Sequence, residues 1–257
     1  MTQENIHAII LEKLREIERA HNITILHAAE SGSRAWGFAS TDSDYDVRFI
    51  YKHDIHEYLR LNRNNDVITL PINDEWDLSG WDLDKTLRLL CKSNPSLYEW
   101  LSSPICYLRT NFADKIKPLL TEYFSVERMI YHYLNMARNN IRIYLLGEKI
   151  KPKKYFYMIR PILACFWVFE FKTNPPVPFA ELVDKILPSE LKPKIDDLLA
   201  IKINTPEKTE IEHIHELDDF LTESAEKIHE DLQKLPEEKG KSWDKLNKFF
   251  ASEIISA

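Results

Sequence analysis

Glycine is scarce in this chain of 257 residues: only five occur, at 32, 37, 80, 147 and 240. Two of them bracket a single short segment, so the backbone freedom they supply is spent locally. Cysteine is scarcer still. Cys91, Cys106 and Cys165 are odd in number, widely spaced and set among apolar neighbours. That excludes a disulfide scaffold and a cysteine-based zinc site, and suits buried free thiols in a reducing compartment. Long apolar runs are absent: the longest, Ile162 to Phe169, has eight residues, far short of the ~20 that span a bilayer. There is no signal-like start, internal repeat or low-complexity tract. The expectation is a cytoplasmic protein with no membrane partner. The nine histidines show no spacing that recruits a metal, and His213 and His215, two apart on an expected helix, do not share a face.

Positive charge is also in deficit, with a formal net charge of −7, which argues against a generally basic coat for nucleic acid. The deficit is unevenly placed. From Arg128 to Arg160 there are eight Lys or Arg against the single acid Glu148, whereas from Glu207 to Glu238 twelve acids face three lysines. The middle of the chain is basic although the whole is acidic. Hydrophobic content of 44% and charged content of 29% describe an ordinary globular chain, long enough for one large or two smaller domains.

Helical spacing of Ile6, Ile9, Ile10, Leu14 and Ile17 predicts a helix over 3–20, with Thr2 as its N-cap. Ile23 to Ala29 reads as a strand, Ser31-Gly32-Ser33 as a turn, and Arg34 to Phe38 as a short helix. Val47 to Tyr51 and Val67 to Leu70, ending at Pro71, read as strands. Trp76 to Trp81 alternates apolar and polar residues, and Asp82 caps a helix over 83–92 that resumes after Asn94-Pro95. From Ser125 onward the pattern predicts helices only, over 126–146, 153–171, 179–186, 191–201, 207–235 and 243–255, with a loop at 172–178. The fold class expected is α+β, with a catalytic domain over 1–110 and an all-helical domain over 111–257 that lines the substrate cleft.

The chemistry concentrates where the glycines do. Along a strand, Asp44, Asp46 and Arg48 face one way and Tyr45, Val47, Phe49 and Tyr51 the other. Carboxylates two residues apart on a strand have Cα atoms ~6.6 Å apart, close enough to serve a pair of hard cations spaced ~3.5–4 Å. Glycine at 32 lets backbone amides approach a triphosphate, the Ser33 hydroxyl can donate to a phosphate oxygen, and a helix starting near Arg34 would add its positive end. Such a centre needs a third carboxylate. Asp77 in Trp76-Asp77-Leu78 is the first choice and Asp82 the second, since an N-cap gives Asp82 a structural reason to be acidic. Asp42, Asp44 and Asp46 also match positions 1, 3 and 5 of a calcium loop, but Val47 stands where that loop needs Gly and His53 where it needs Glu. Asp42 is read as a loop residue or a hydrogen-bonding partner of the metal ligands rather than as a ligand itself.

A Gly-Ser turn after an apolar strand, followed by Asp44-x-Asp46 on a second strand, resembles the DNA-polymerase-beta-like nucleotidyltransferase superfamily. The words GSRAWGF, DSDYDVRFIY, DLSGWDL, SNPSLYEWLSSP and KKYFYMIRPIL narrow the resemblance, which runs from about Glu30 to about Phe179, to its RNA-repair-pathway, RNA-ligase-associated family. The resemblance implies a minimal nucleotidyltransferase fold, a mixed sheet with flanking helices, followed by a helical partner. It also implies transfer of a nucleoside monophosphate from an NTP such as ATP to an acceptor hydroxyl, with release of pyrophosphate. Two Mg²⁺ ions, with Mn²⁺ as a substitute, would be held by Asp44, Asp46 and Asp77. RNA is the implied partner, its 3′ end the acceptor, and an RNA ligase the pathway partner. A protein or small-molecule hydroxyl as acceptor stays open, as does a non-catalytic nucleotide- or RNA-binding module.

Nucleotide contacts are expected from Gly32, Ser33 and Arg34. A second set comes from the basic middle, where Lys153, Tyr157 and Arg160 fall at i, i+4 and i+7 beside Lys154. Arg34 could equally pair with a carboxylate, and Arg48 offset the repulsion of its acidic neighbours. Arg138 and Arg142, at i and i+4 on the preceding helix, either grip phosphate or are surface charge. Trp36, Phe38, Trp76 and Trp81 are read as packing residues rather than base-stacking ones.

Overall fold

The stretch Trp76–Asp82 is buried and half-buried in strict alternation, the signature of a strand with its two faces in different surroundings. The computed structural model describes residues 3–40, 43–62, 64–70, 75–206 and 208–255. Thr2, Asp42, Pro71 and Glu207, which the sequence reading made a cap, a loop residue, a strand end and a helix start, lie outside the described residues.

The chain runs through α1 (Gln3–His21), β1 (Ile23–Glu30), α2 (Gly32–Trp36), β2 (Tyr45–His53), α3 (Ile55–Tyr58), β3 (Val67–Thr69) and β4 (Trp76–Asp82). It continues through α4 (Leu83–Cys91), α5 (Pro95–Ser102), β5 (Cys106–Arg109), α6 (Phe112–Tyr123) and α7 (Val126–Tyr144). After β6 (Lys149–Ile150) come α8 (Pro152–Phe171), α9 (Phe179–Ile186), α10 (Lys192–Asn204), β7 (Ile211–Glu212), α11 (His215–Leu232) and α12 (Asp244–Ile255). The fold class is α+β, and two compact units divide it.

The first unit comprises Met1–Ala35, Asp44–Tyr123 and Gly240–Ala257. Its five-stranded sheet has the order β3-β4-β2-β1-β5. β2 and β4 run parallel, in the register Asp46↔Asp77 and Phe49↔Gly80; β1 pairs with β2 and β5 antiparallel, as β3 does with β4. One face of the sheet buries Val47, Phe49, Tyr51 and Leu78 against Ile10, Leu14 and Ile17 of α1, each side chain contributing roughly 1.5–3 kcal/mol. α12 closes the unit through Lys52 Nζ to the Glu253 carbonyl at 2.5 Å and Lys115 Nζ to Glu253 Oε1 at 2.8 Å.

Gly80 is a packing requirement. A Cβ there would fall 2.1 Å from Phe49 Cε2, inside a ring that is itself fully buried. Gly80→Ala is therefore expected to lower unfolding stability by about 1–3 kcal/mol, the usual cost of overpacking. An unchanged urea midpoint would show that the Phe49 ring is free to move aside.

The second unit comprises Trp36–Ser43 and Phe124–Lys239. Its long helices pack through Ile130, Tyr133, Leu134, Phe156, Ile159, Leu163, Leu217 and Leu221, all buried. Phe38, from the short N-terminal segment, lies 4.6 Å from the Phe156 ring and 5.5 Å from that of Phe179.

Several elements depart from the sequence expectation. β5 and α6 had not been foreseen; α6 carries Pro118 in its interior, which breaks the helical pattern on paper. The all-helical expectation after Ser125 is corrected by the short antiparallel pair β6 and β7. The helix expected over 207–235 starts only at His215, because the Ile214 amide is taken at 2.8 Å by the Tyr155 hydroxyl. His213 thus precedes the helix, with Nδ1 2.9 Å from Asp218 Oδ2. Cys91 and Cys165 are buried free thiols, while Cys106 is half-buried.

Candidate active site

β1 ends at Glu30, and the chain then enters α2 through Gly32 at φ 59. Two hydrogen bonds hold this turn against β2: Ser31 N–H donates to the Asp46 carbonyl at 2.8 Å, and Asp46 N–H donates to Glu30 Oε1 at 2.8 Å. Parallel pairing sets Asp77 beside Asp46 on the same half-buried face. Arg48, two residues along, reaches both: its Nη2 lies 2.8 Å from Asp46 Oδ1 and 2.6 Å from Asp77 Oδ2, while its Nη1 donates to the Asp77 carbonyl at 2.9 Å. Asp44 precedes the strand and is exposed.

Burial pushes the Asp46 carboxyl up to about 6; the Arg48 guanidinium opposes the shift, and the charges of Asp44 and Asp77 add to it. Arg48 supplies positive charge between the two crowded carboxylates. A hard divalent ion fits the donor set at Asp46 and Asp77, which is all oxygen. The absence of a side chain at position 32 is part of the fit, since a Cβ there would lie 2.0 Å from Asp46 Oδ2. Among the described residues no group of three or more His, Cys, Asp or Glu side chains is arranged to hold a metal. Asp46 and Asp77 thus converge, and the exposed Asp44 lies near enough for its charge to act on Asp46.

The chain matches the family described as RlaP, RNA repair pathway DNA polymerase beta family, over residues 6–252. It belongs to that family. It is 44% identical over 250 residues to the uncharacterized protein YcgL of Bacillus subtilis (strain 168), covering 95% of each chain. A crystal structure of a nucleotidyltransferase-like protein from Exiguobacterium sibiricum 255-15 is similar at a TM-score of 0.31 and 15% identity, over 86% of this chain and 73% of that one. Likeness at that level supports no inference about chemistry.

For a member of this family, the other residues singled out in the sequence fall into distinct surroundings. Ser33 is half-buried in the first turn of α2. Arg34 Nε donates to the Asp44 carbonyl at 2.9 Å, and the guanidinium lies 3.8 Å from the Tyr45 ring centroid, so it fastens the entry of β2. In the helical unit, Lys154 Nζ donates to the Tyr144 hydroxyl at 2.9 Å and lies 5.2 Å from the Tyr157 ring. Tyr157 meets Trp36 edge to face at 6.0 Å. Arg160 is 2% exposed, with its guanidinium 4.6 Å from the Trp36 ring and Nη2 3.5 Å from the Val177 carbonyl. Lys153 is half-buried and lines a small pocket with Lys202, Thr205 and Pro206. Phe38 and Trp76 are buried, and Trp81 lies 3.8 Å from Trp100.

Sequence reasoning missed Glu30. It is 1% exposed, and its carboxylate accepts from Asp46 N–H and from the Tyr107 hydroxyl at 2.5 Å. Burial pushes its carboxyl up to about 7, against the pull of those two donors. An acid closing a largely apolar strand two residues before Gly32 was the available signal.

Asp82 serves another role. Its Oδ1 caps α4 through Asp84 N–H at 2.7 Å, and its Oδ2 accepts from the Tyr58 hydroxyl at 3.1 Å. Burial pushes its carboxyl up to about 6, with Asp84 and Asp66 adding to the shift. A carboxyl raised on folding contributes stability that is present below pH ~4 and lost as pH rises through ~6. Asp82→Asn keeps an oxygen for the cap and removes the charge, so it should be worth about 1–2 kcal/mol more relative to wild type at pH 7 than at pH 4. Denaturant curves at both values measure this, and a pH-independent difference would contradict it.

Proposed function

We propose that the protein transfers a nucleoside monophosphate from an NTP to an acceptor hydroxyl, with an RNA 3′ end as the preferred acceptor. The observation that carries this reading is the pairing of Asp46 with Asp77 against the side-chain-free turn at Gly32. A divalent ion, Mg²⁺ by its preference for oxygen ligands, would supply charge neutralisation of the triphosphate when bound between Asp46 and Asp77, with Asp44 as a third ligand.

The chain's own residues account for the rest of the reaction. Gly32 and Ser33 offer a backbone without a protruding side chain and a hydroxyl to the phosphates. Glu30 holds the Asp46 amide and so fixes where its carboxylate points. The acceptor oxygen forms a bond to the α-phosphorus as the bond to the bridging oxygen breaks. Pyrophosphate leaves, and the hydroxyl proton passes to a carboxylate oxygen of Asp77.

The test is incorporation of label from α-labelled NTPs into RNA with a free 3′ hydroxyl, with and without chelator. Chelator-sensitive incorporation is expected. Absence of incorporation into RNA, protein extract and small-molecule alcohols alike would sink the proposal, and incorporation into only one of the latter two would move the acceptor there.

A further inference from the structure

The outer face of α7 has a composition unlike the rest of this acidic chain. Its buried residues, Met129, Ile130, Tyr133, Leu134 and Ala137, lie on one side of the helix. Diametrically opposite, Arg128, Tyr131, Asn135, Arg138, Asn139 and Arg142 fall within a ~100° stripe at 100° per residue. All are exposed except the half-buried Arg138, and Tyr131 is 58% exposed. From Arg128 to Leu146 the sequence contains no acid. Among the described residues neither Arg138 nor Arg142 makes an ion pair, although the acidic α11 packs against the same helix. Two guanidinium groups, Arg138 and Arg142, without counter-charges among the described residues, on a stripe carrying a solvated aromatic ring and two amides, are unusual for a purely solvating surface.

We infer that this stripe of α7 binds single-stranded RNA. Guanidinium groups take phosphate oxygens in bidentate fashion, a Tyr ring takes the face of a base, and Asn side chains reach base edges. The stripe is narrow and about 21 Å long from residue 128 to 142, a track for one strand rather than the surface a duplex covers. The net charge of the whole chain repels polyanions, so attraction must come from a local feature of this kind. The inference deepens the proposed function, taking from it that the acceptor is RNA and giving that acceptor a place to bind.

Fluorescence anisotropy of a short labelled single-stranded RNA, titrated with the full chain over a salt series, tests it. Arg138→Gln combined with Arg142→Gln should weaken binding and flatten the plot of log K against log salt by about 1.4, two phosphate contacts at ~0.7 each. Tyr131→Ala should weaken binding about tenfold with the slope unchanged. Melting curves establish that the variants are folded, and Arg138→Lys with Arg142→Lys should restore the slope. Wild-type affinity and slope in all variants, or no RNA binding by the wild type, would overturn the inference. NTP incorporation by the wild type is scored separately. Incorporation with RNA affinity unmoved by the variants defeats this inference alone; variant-sensitive RNA binding without incorporation upholds it and defeats nucleotidyl transfer.

Discussion

Asp46→Asn and Asp77→Asn should each lower NMP incorporation by about 10³-fold, while Asp82→Asn leaves it within about threefold. The first figure follows from removing one anionic oxygen ligand from a centre whose cation contributes several kcal/mol to the transition state, at 1.36 kcal/mol per tenfold. The contrast rests on geometry: Asp77 shares the Arg48 guanidinium with Asp46, whereas both oxygens of Asp82 are committed to the α4 cap and to Tyr58. Loss of folding does not explain such a result. Burial and the neighbouring acids already penalise the charged form of Asp46, so an amide of the same shape, still able to accept from Arg48, should hold thermal stability near that of wild type. Activity retained in Asp77→Asn but lost in Asp82→Asn would reassign the third carboxylate. Activity retained in all three would remove the carboxylate centre from the mechanism.

The parts of this arrangement that were legible in the sequence are those written in local periodicity. Gly32, Asp46 and Asp77 each stand in a short word whose alternation fixes a face, and strand alternation needs only a few residues to be read. That Asp46 and Asp77 would be register partners is a consequence of the parallel pairing of β2 and β4, which no local pattern states. Glu30 escaped for a similar reason. One of its donors, the Tyr107 hydroxyl, is 77 residues away along the chain. Arg160 shows the opposite failure: helical spacing placed it on a face with Lys153 and Tyr157, but α8 is buried on almost every side. Where a helix has no single wet face, i, i+4, i+7 spacing cannot tell a ligand contact from a packed cation. The late start of α11 was hidden because Ile211 and Ile214 happen to extend the apolar period of the true helix backward.

Gly32→Ala should combine a stability loss of about 1 kcal/mol with a fall in NMP incorporation of about 10²-fold, and Gly37→Ala separates the two causes. Both glycines have positive φ, at 59 and 89, where a side chain strains the backbone. They differ in what a Cβ would meet. At position 32 it would lie 2.0 Å from Asp46 Oδ2 and 2.9 Å from Asp46 Cγ, so the carboxylate has to move; at position 37 nothing lies within 4 Å. A displacement near 1 Å at a reacting centre costs about 10²-fold in rate. Asp46 cannot move as a unit with its strand, because its amide is held by Glu30 and its carbonyl by Ser31, so the displacement falls on the side chain. Gly37→Ala carries the backbone strain without the collision, and should lose stability while keeping incorporation. Denaturant midpoints and incorporation rates measured for both variants decide the matter. If Gly37→Ala loses activity as Gly32→Ala does, backbone strain is the cause and the approach of Gly32 to Asp46 is incidental. If only Gly32→Ala does, position 32 is glycine because Asp46 needs the space.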